Sequence, residues 1–209
     1  MKRLLVTVLS AFAFSGLVRA GTITIFDTGV DSSNALLAEG SVDPHYLLNG
    51  GPAYVGADQN TLPYDPHGDG ISQWINPTPV ATDNVPPGTY IFTTMFTLPV
   101  GFTSASLSGQ WEADNNGVLT MNGGLPISTI PGPIGFQAWT PFTITSGFMA
   151  GTNTLTFTVG NDFGPSGVRV EFTNALFSTP DTGSSAALLG GSLLVIGVFG
   201  RLQRSRSTI

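Results

Sequence analysis

Along residues 22–177 the apolar positions tend to recur every second residue, which is the signature of strands with one buried and one wet face. The clearest run is Asn153-Thr154-Leu155-Thr156-Phe157-Thr158-Val159. It sends Leu155, Phe157 and Val159 to one side and its threonines to the other. Val168-Arg169-Val170-Glu171-Phe172 repeats the pattern and predicts Arg169 and Glu171 on the solvent face. Residues 90–96 predict another strand with its aromatic residues on one side, and Ala105, Leu107, Gly109 and Trp111 line one face of a further one. Shorter candidates cover residues 22–26, 71–75, 118–122 and 139–145. Turn chemistry separates these runs: Pro86-Pro87-Gly88, Asn115-Asn116-Gly117, Asn122-Gly123-Gly124, Ala150-Gly151-Thr152 and Gly164-Pro165-Ser166-Gly167. Residues 43–70 carry little strand pattern and predict long loops over one edge. With no amphipathic helix and no internal repeat in the body, the expected fold is all-β, a single jelly-roll-like antiparallel β-sandwich over residues 21–177.

The two ends break the alternation. Residues 1–20 read as a secretory signal peptide: Lys2 and Arg3 lead a mostly apolar run, and Val18-Arg19-Ala20 sets small residues for a cut between Ala20 and Gly21. The run is short for a membrane span, which takes about 20 residues. Residues 178–209 hold three parts in order: a polar motif at 179–184, an apolar helix at 185–200, and a basic tail at 201–209 with Arg201, Arg204 and Arg206. That helix is just long enough to cross a thin bilayer as a transmembrane anchor. The arginines hold the tail in the cytoplasm before any processing, and the sandwich stands outside the cytoplasmic membrane.

Charge placement narrows the partners. Residues 21–177 hold twelve acids, Asp27 through Glu171, against Arg169 as the one base, and no lysine. Such a surface repels phosphate backbones, so nucleic acid is not a partner. It suits cations or neutral polar partners such as sugars. The absence of cysteine removes disulfides, thiol nucleophiles and thiolate metal sites, and is compatible with export.

The motif Thr179-Pro180-Asp181-Thr182-Gly183-Ser184, followed by Ala186-Ala187-Leu188-Leu189-Gly190, resembles a PEP-CTERM sorting signal in its Val-Pro-Asp-x-Gly-Ser variant. Thr179 stands where that variant has Val, and the Pro-Glu-Pro triplet is absent. The resemblance implies recognition by an exosortase-type processing peptidase, with Pro180 keeping Thr179 extended and accessible. Pro180-Asp181-Thr182-Gly183 also satisfies four of the five positions of a sortase Leu-Pro-x-Thr-Gly signal, and this rival reading stays open. Residues 88–172 are similar to the galactose-binding-like sandwich of bacterial surface proteins. The likeness rests on Gly88-Thr89-Tyr90, Trp111-Glu112-Ala113-Asp114-Asn115, Met121-Asn122-Gly123, Trp139-Thr140-Pro141-Phe142, Gly151-Thr152-Asn153-Thr154-Leu155 and Val159-Gly160-Asn161. It implies a loop-bearing sandwich that often holds structural Ca²⁺.

Two sets of side chains are candidates for binding. Glu112, Asp114, Asn115 and Asn122, with Asn161 and Asp162 expected near by in space, offer the carboxylate and amide oxygens that Ca²⁺ takes. The bland reading of the same residues is turn formation. Trp74, Trp111 and Trp139 are the candidate glycan contacts, because an aromatic face beside polar groups stacks on sugar rings. Trp139 has the most loop-like surroundings, and Trp111, on an alternating strand, also reads as core. Asp65 and Asp69 lack the alternating ligands of an EF-hand loop, and His45 and His67 stand 22 positions apart with no metalloprotease motif. No Gly-x-Ser-x-Gly elbow occurs. Glu112 and Asp114 share a strand face and sit too close in sequence to flank a glycoside from two sides. The expectation is a non-enzymatic exported surface or matrix protein associated with exopolysaccharide and binding glycan weakly. A ligand-free structural spacer is the alternative, and a glycan-active hydrolase a more remote one.

Overall fold

The computed structural model describes residues 18–56 and 70–181. The body of the signal peptide, His67, Asp65, Asp69, Thr182, Gly183, the predicted transmembrane helix and the basic tail lie outside the described residues. Among the described residues, no helix is long and apolar enough to cross a membrane. Ala20–Thr179 forms one compact unit. Met1–Arg19 and Pro180–Ile209 form another, of which Val18, Arg19, Pro180 and Asp181 are described.

The described chain is built from strands alone: β1 (Val18–Thr22), β2 (Val42–Leu48), β3 (Gly51–Val55), β4 (Ile75–Asn76), β5 (Gly88–Leu98), β6 (Ser104–Asp114), β7 (Asn116–Met121), β8 (Ser128–Ile130), β9 (Thr140–Ile144), β10 (Gly151–Asn161) and β11 (Gly167–Pro180). They hydrogen-bond in the order β8-β7-β10-β5-β2-β3-β4-β11-β6-β9, with β1 also against β11. Every pairing whose register is defined is antiparallel. This single path folds back on itself, so that β6 faces β10 and β8 approaches β9. The result is a nearly closed antiparallel sheet around one core.

The alternation read from the sequence is what fills that core. Leu155, Phe157 and Val159 of β10 and Leu107, Trp111 and Ala113 of β6 are completely buried. Trp111 and Phe157 meet at 5.4 Å between ring centroids, and Tyr46 closes on Phe157 at 6.5 Å. The Trp111 Nε1–H donates to Ser128 Oγ (3.0 Å), which satisfies the one polar atom of an otherwise apolar burial. Gly117 leaves room for the same indole: a Cβ there would stand 2.8 Å from the Trp111 ring edge.

Four sequence expectations change. Residues 43–70 are not all loop, because β2 and β3 form a hairpin there around Asn49 and Gly50, whose φ values of 49° and 79° suit a type I′ turn. The first strand is β1, ending at Thr22, and not residues 22–26. The expected strand over 71–75 shrinks to the two residues of β4. Arg169 and Glu171 point away from the core as expected, yet both are buried, because connecting segments cover that outer face.

Candidate functional site

The outer face of β6 and β11 carries the most distinctive chemistry. In the antiparallel register Glu112 stands opposite Arg169, and Gln110 opposite Glu171. Opposed residues on one sheet face hold their Cβ atoms about 4.5–5.5 Å apart. Trp111 is opposite Thr140, so Trp139, one residue before β9, comes alongside Glu112. Val168 is opposite Ile75, so Trp74, one residue before β4, comes alongside Arg169. Its Cε3 sits 3.4 Å from where a Gly167 Cβ would be. Four strands thus set Trp139, Glu112, Arg169 and Trp74 in one transverse row.

Arg169 is tightly determined. Its Nε donates to Ser72 Oγ (2.7 Å) and one terminal nitrogen donates to the Ser72 carbonyl (3.0 Å). The same guanidinium lies 3.7 Å from Glu171 Oε1, which also accepts the Ser72 hydroxyl at 2.8 Å. Gln110 Nε2 donates to the other Glu171 oxygen (2.9 Å). Arg169 and Glu112 are fully buried, and the Arg169 Cζ lies 5.1 Å from the centroid of the Trp139 ring. That cation–π contact fixes the indole plane. Trp139 and Trp74 remain partly exposed.

The sequence-derived candidates are therefore split. Trp139, Trp74 and Glu112 are brought together, around an arginine that the sequence placed in solvent. Trp111 is corrected: it is completely buried in the core and presents no face to a ligand. The proposed Ca²⁺ set of Glu112, Asp114, Asn115 and Asn122 does not converge. Asn122 follows the far end of β7, ~20 Å from Asn115 by strand rise. There its Oδ1 accepts the Thr154 N–H (2.9 Å) and its Nδ2 donates to Asn153 Oδ1 (2.9 Å). Asn115 is engaged as well, accepting the Asp162 N–H (2.8 Å) and donating to the Pro133 carbonyl (3.0 Å). Both amides act as loop staples.

Asp114 keeps a carboxylate neighbour in Asp162. Partial burial first, and the Asp162 charge second, lift the Asp114 carboxyl to about 7 from an ordinary 3.8. Among the described residues, no three His, Cys, Asp or Glu side chains gather as a metal site. At Asp43 hydrogen bonds work against burial: its oxygens accept the N–H groups of Gly29, His45 and Tyr46 at 2.7–3.1 Å. Burial nonetheless holds its carboxyl above the ordinary value. His45 stacks on Phe26 at 3.8 Å between ring centroids, a packing role. Thr179 and Pro180 end β11 in extended conformation, with Pro180 exposed and Asp181 next.

No protein-family model and no curated protein matches the sequence. Among solved structures the chain is distantly similar to two carbohydrate-binding modules and a galactanase. A family 35 carbohydrate-binding module from an environmental isolate aligns at TM-score 0.32 and 13% identity, over 60% of this chain and 87% of that one. A module of the same family from Cellvibrio japonicus gives TM-score 0.30 and 16% identity, over 50% and 76%. The exo-β-1,3-galactanase of Phanerochaete chrysosporium aligns at TM-score 0.27 and 14% identity, over 48% of this chain and 23% of its own length. At these scores and identities the likeness carries no assignment of fold or activity.

Proposed function

We propose that this chain is a non-enzymatic exported protein of the cell surface or extracellular matrix whose jelly-roll-like ectodomain holds neutral glycan weakly at Trp139. The observation that supports the reading is the partly exposed Trp139 indole held over the buried Arg169 guanidinium, with Trp74 at the other end of the same row. A fixed aromatic plane loses little entropy when a sugar ring stacks on it, which suits weak binding repeated along a polymer. Glu112, the one carboxylate of the row, is fully buried opposite Arg169, a structural position and not that of a general acid facing substrate. Export rests on the signal-like residues 1–20, and sorting on the resemblance of residues 179–209 to an exosortase-processed tail that is first held in the membrane.

Affinity electrophoresis through gels containing a neutral polysaccharide tests the binding. The wild-type chain should be retarded, and Trp139→Ala, checked for folding by circular dichroism, should migrate freely. Equal mobility of wild type with and without polysaccharide across a panel of neutral glycans overturns the binding reading and leaves the ligand-free spacer. Intact-mass spectrometry of protein from its producing cells tests the sorting: a species from Gly21 to a terminus within residues 180–183 is expected. Retention of residues 201–209 contradicts processing.

A further inference from the structure

A second feature is unrelated to the tryptophan row. Strand β5 pairs with β10 without interruption from Gly88 to Leu98, but with β2 only at Phe92 and Thr93. Among the described residues no strand pairs with its second edge beyond Thr93, and a groove of 480 Å³ runs beside it. Thr94, Met95, Phe96 and Thr97 line this groove together with Thr24, Phe26, Pro44 and His45.

The direction of the bare backbone groups follows from the neighbouring pair. Asn49 donates its N–H to the Ile91 carbonyl (2.9 Å) and accepts the Ile91 N–H on its Oδ1 (3.0 Å). Ile91 therefore turns both backbone groups away from β10, and by the two-residue period Thr93, Met95 and Thr97 do the same. Met95 and Thr97 thus present two N–H and two C=O groups to the groove, spaced about 6.8 Å apart along the strand. Natural edges of this kind are usually blunted by charge, proline or a bulge. β5 has no charged residue, no proline and no register break against β10.

We propose that this groove takes an extended, uncharged peptide from a partner protein, which adds as a strand to the free edge of β5. Main-chain pairing with Met95 and Thr97 supplies the affinity, as in other strand-addition sites, and the walls select the side chains. The walls carry no ionisable group other than His45, in a body whose acids outnumber its bases by eleven, so an uncharged segment escapes the repulsion that an acidic one would meet. The paired rings of Phe26 and His45 favour an apolar side chain at alternate positions of the incoming strand.

The test uses an acetylated, amidated hexapeptide alternating threonine and valine, with hydrogen exchange of the full chain read residue by residue. Saturating peptide should slow exchange at the Met95 and Thr97 amides at least tenfold and leave the core amides of β10 unchanged. Met95→Pro removes one groove-facing N–H without touching the β10 ladder, and Met95→Lys places a charge on the edge at an exposed position. Either folded variant should abolish the protection. Unchanged exchange at Met95 and Thr97 with saturating peptide overturns the proposal. Protection produced by neutral oligosaccharide instead of peptide, or by raising the protein concentration alone, overturns it in favour of a sugar or a second copy.

Discussion

Removing Arg169 should destabilise the sandwich severely, and more so as pH rises. The guanidinium is fully buried, donates two hydrogen bonds to Ser72, lies 3.7 Å from Glu171 and faces Glu112 across the strand pair. Arg169→Met keeps much of the stem's volume and deletes the charge. Glu171 then loses the cation beside it, Glu112 stands opposite an uncharged side chain, and the Ser72 carbonyl loses a donor. Breaking a buried pair from one side costs about 3–5 kcal/mol, well above the value of a surface ion pair. For a domain of this size, that corresponds to a fall in Tm of about 6–20 °C.

The pH dependence follows from the carboxylate left behind. Buried without the cation beside it, Glu171 in the variant binds protons more tightly folded than unfolded. The folded variant then carries the extra proton between the unfolded and folded values, so its stability falls as pH rises from about 4 towards neutrality. The deficit against wild type should therefore be smallest near pH 4 and largest near pH 8. Urea unfolding of both chains at several pH values, followed by tryptophan fluorescence, measures it. A loss below about 1 kcal/mol at pH 8, or one that does not change with pH, would show that the row is not an electrostatic unit.

The remaining expectations are shorter. Asp114→Asn should raise stability above neutral pH: raising its carboxyl from 3.8 to about 7 corresponds to at most about 4 kcal/mol, cut to about 1–2 by its partial solvent access. The wild type loses that stability between about pH 4 and 7 as the unfolded chain ionises first, so in chelator the two melting curves should coincide near pH 4 and separate by pH 8. Asn153→Ala should cost about 2–3 kcal/mol in urea titrations, because the fully buried amide accepts the Met149 N–H and donates to the Met149 and Gly151 carbonyls. Trp111→Ala should cost about 3–5 kcal/mol from cavity formation, and calorimetry should show the loss without any change in retardation of the surviving folded fraction by glycan.

What was legible in the sequence is what alternation controls. Leu155, Phe157 and Val159 fall inside because a strand has only two faces, and one of them packs a core. The hairpin of β2 and β3 was equally readable, since Asn49-Gly50 is a strong two-residue hairpin signal between apolar stretches. Against that signal, Pro44 and His45 interrupt the alternation, and β2 accommodates them through a register break before Leu47. The Ca²⁺ set failed for a different reason. Asn115 and Asn122 have the right oxygens for a cation, but the same oxygens satisfy the N–H groups of Asp162 and Thr154, and local backbone demand is met first.

The row through Arg169 shows where alternation stops being informative. Period two says correctly that Arg169, Glu171 and Glu112 face away from the core, and solvent is the ordinary inference from that. Whether an outer face is wet depends on which loops return over it, and Ser72, Trp74 and Trp139 come from segments 97 to 30 residues earlier in the chain. A signal did exist. Over residues 21–177 a single basic residue appears, between two valines and two positions from a glutamate, while every lysine has been excluded. A base kept for solubility would be one of many and free to vary in place. A base kept alone in so acidic a body is more economically explained by a fixed demand, and Glu112 directly opposite, Glu171 beside it and the Trp139 face above it supply that demand.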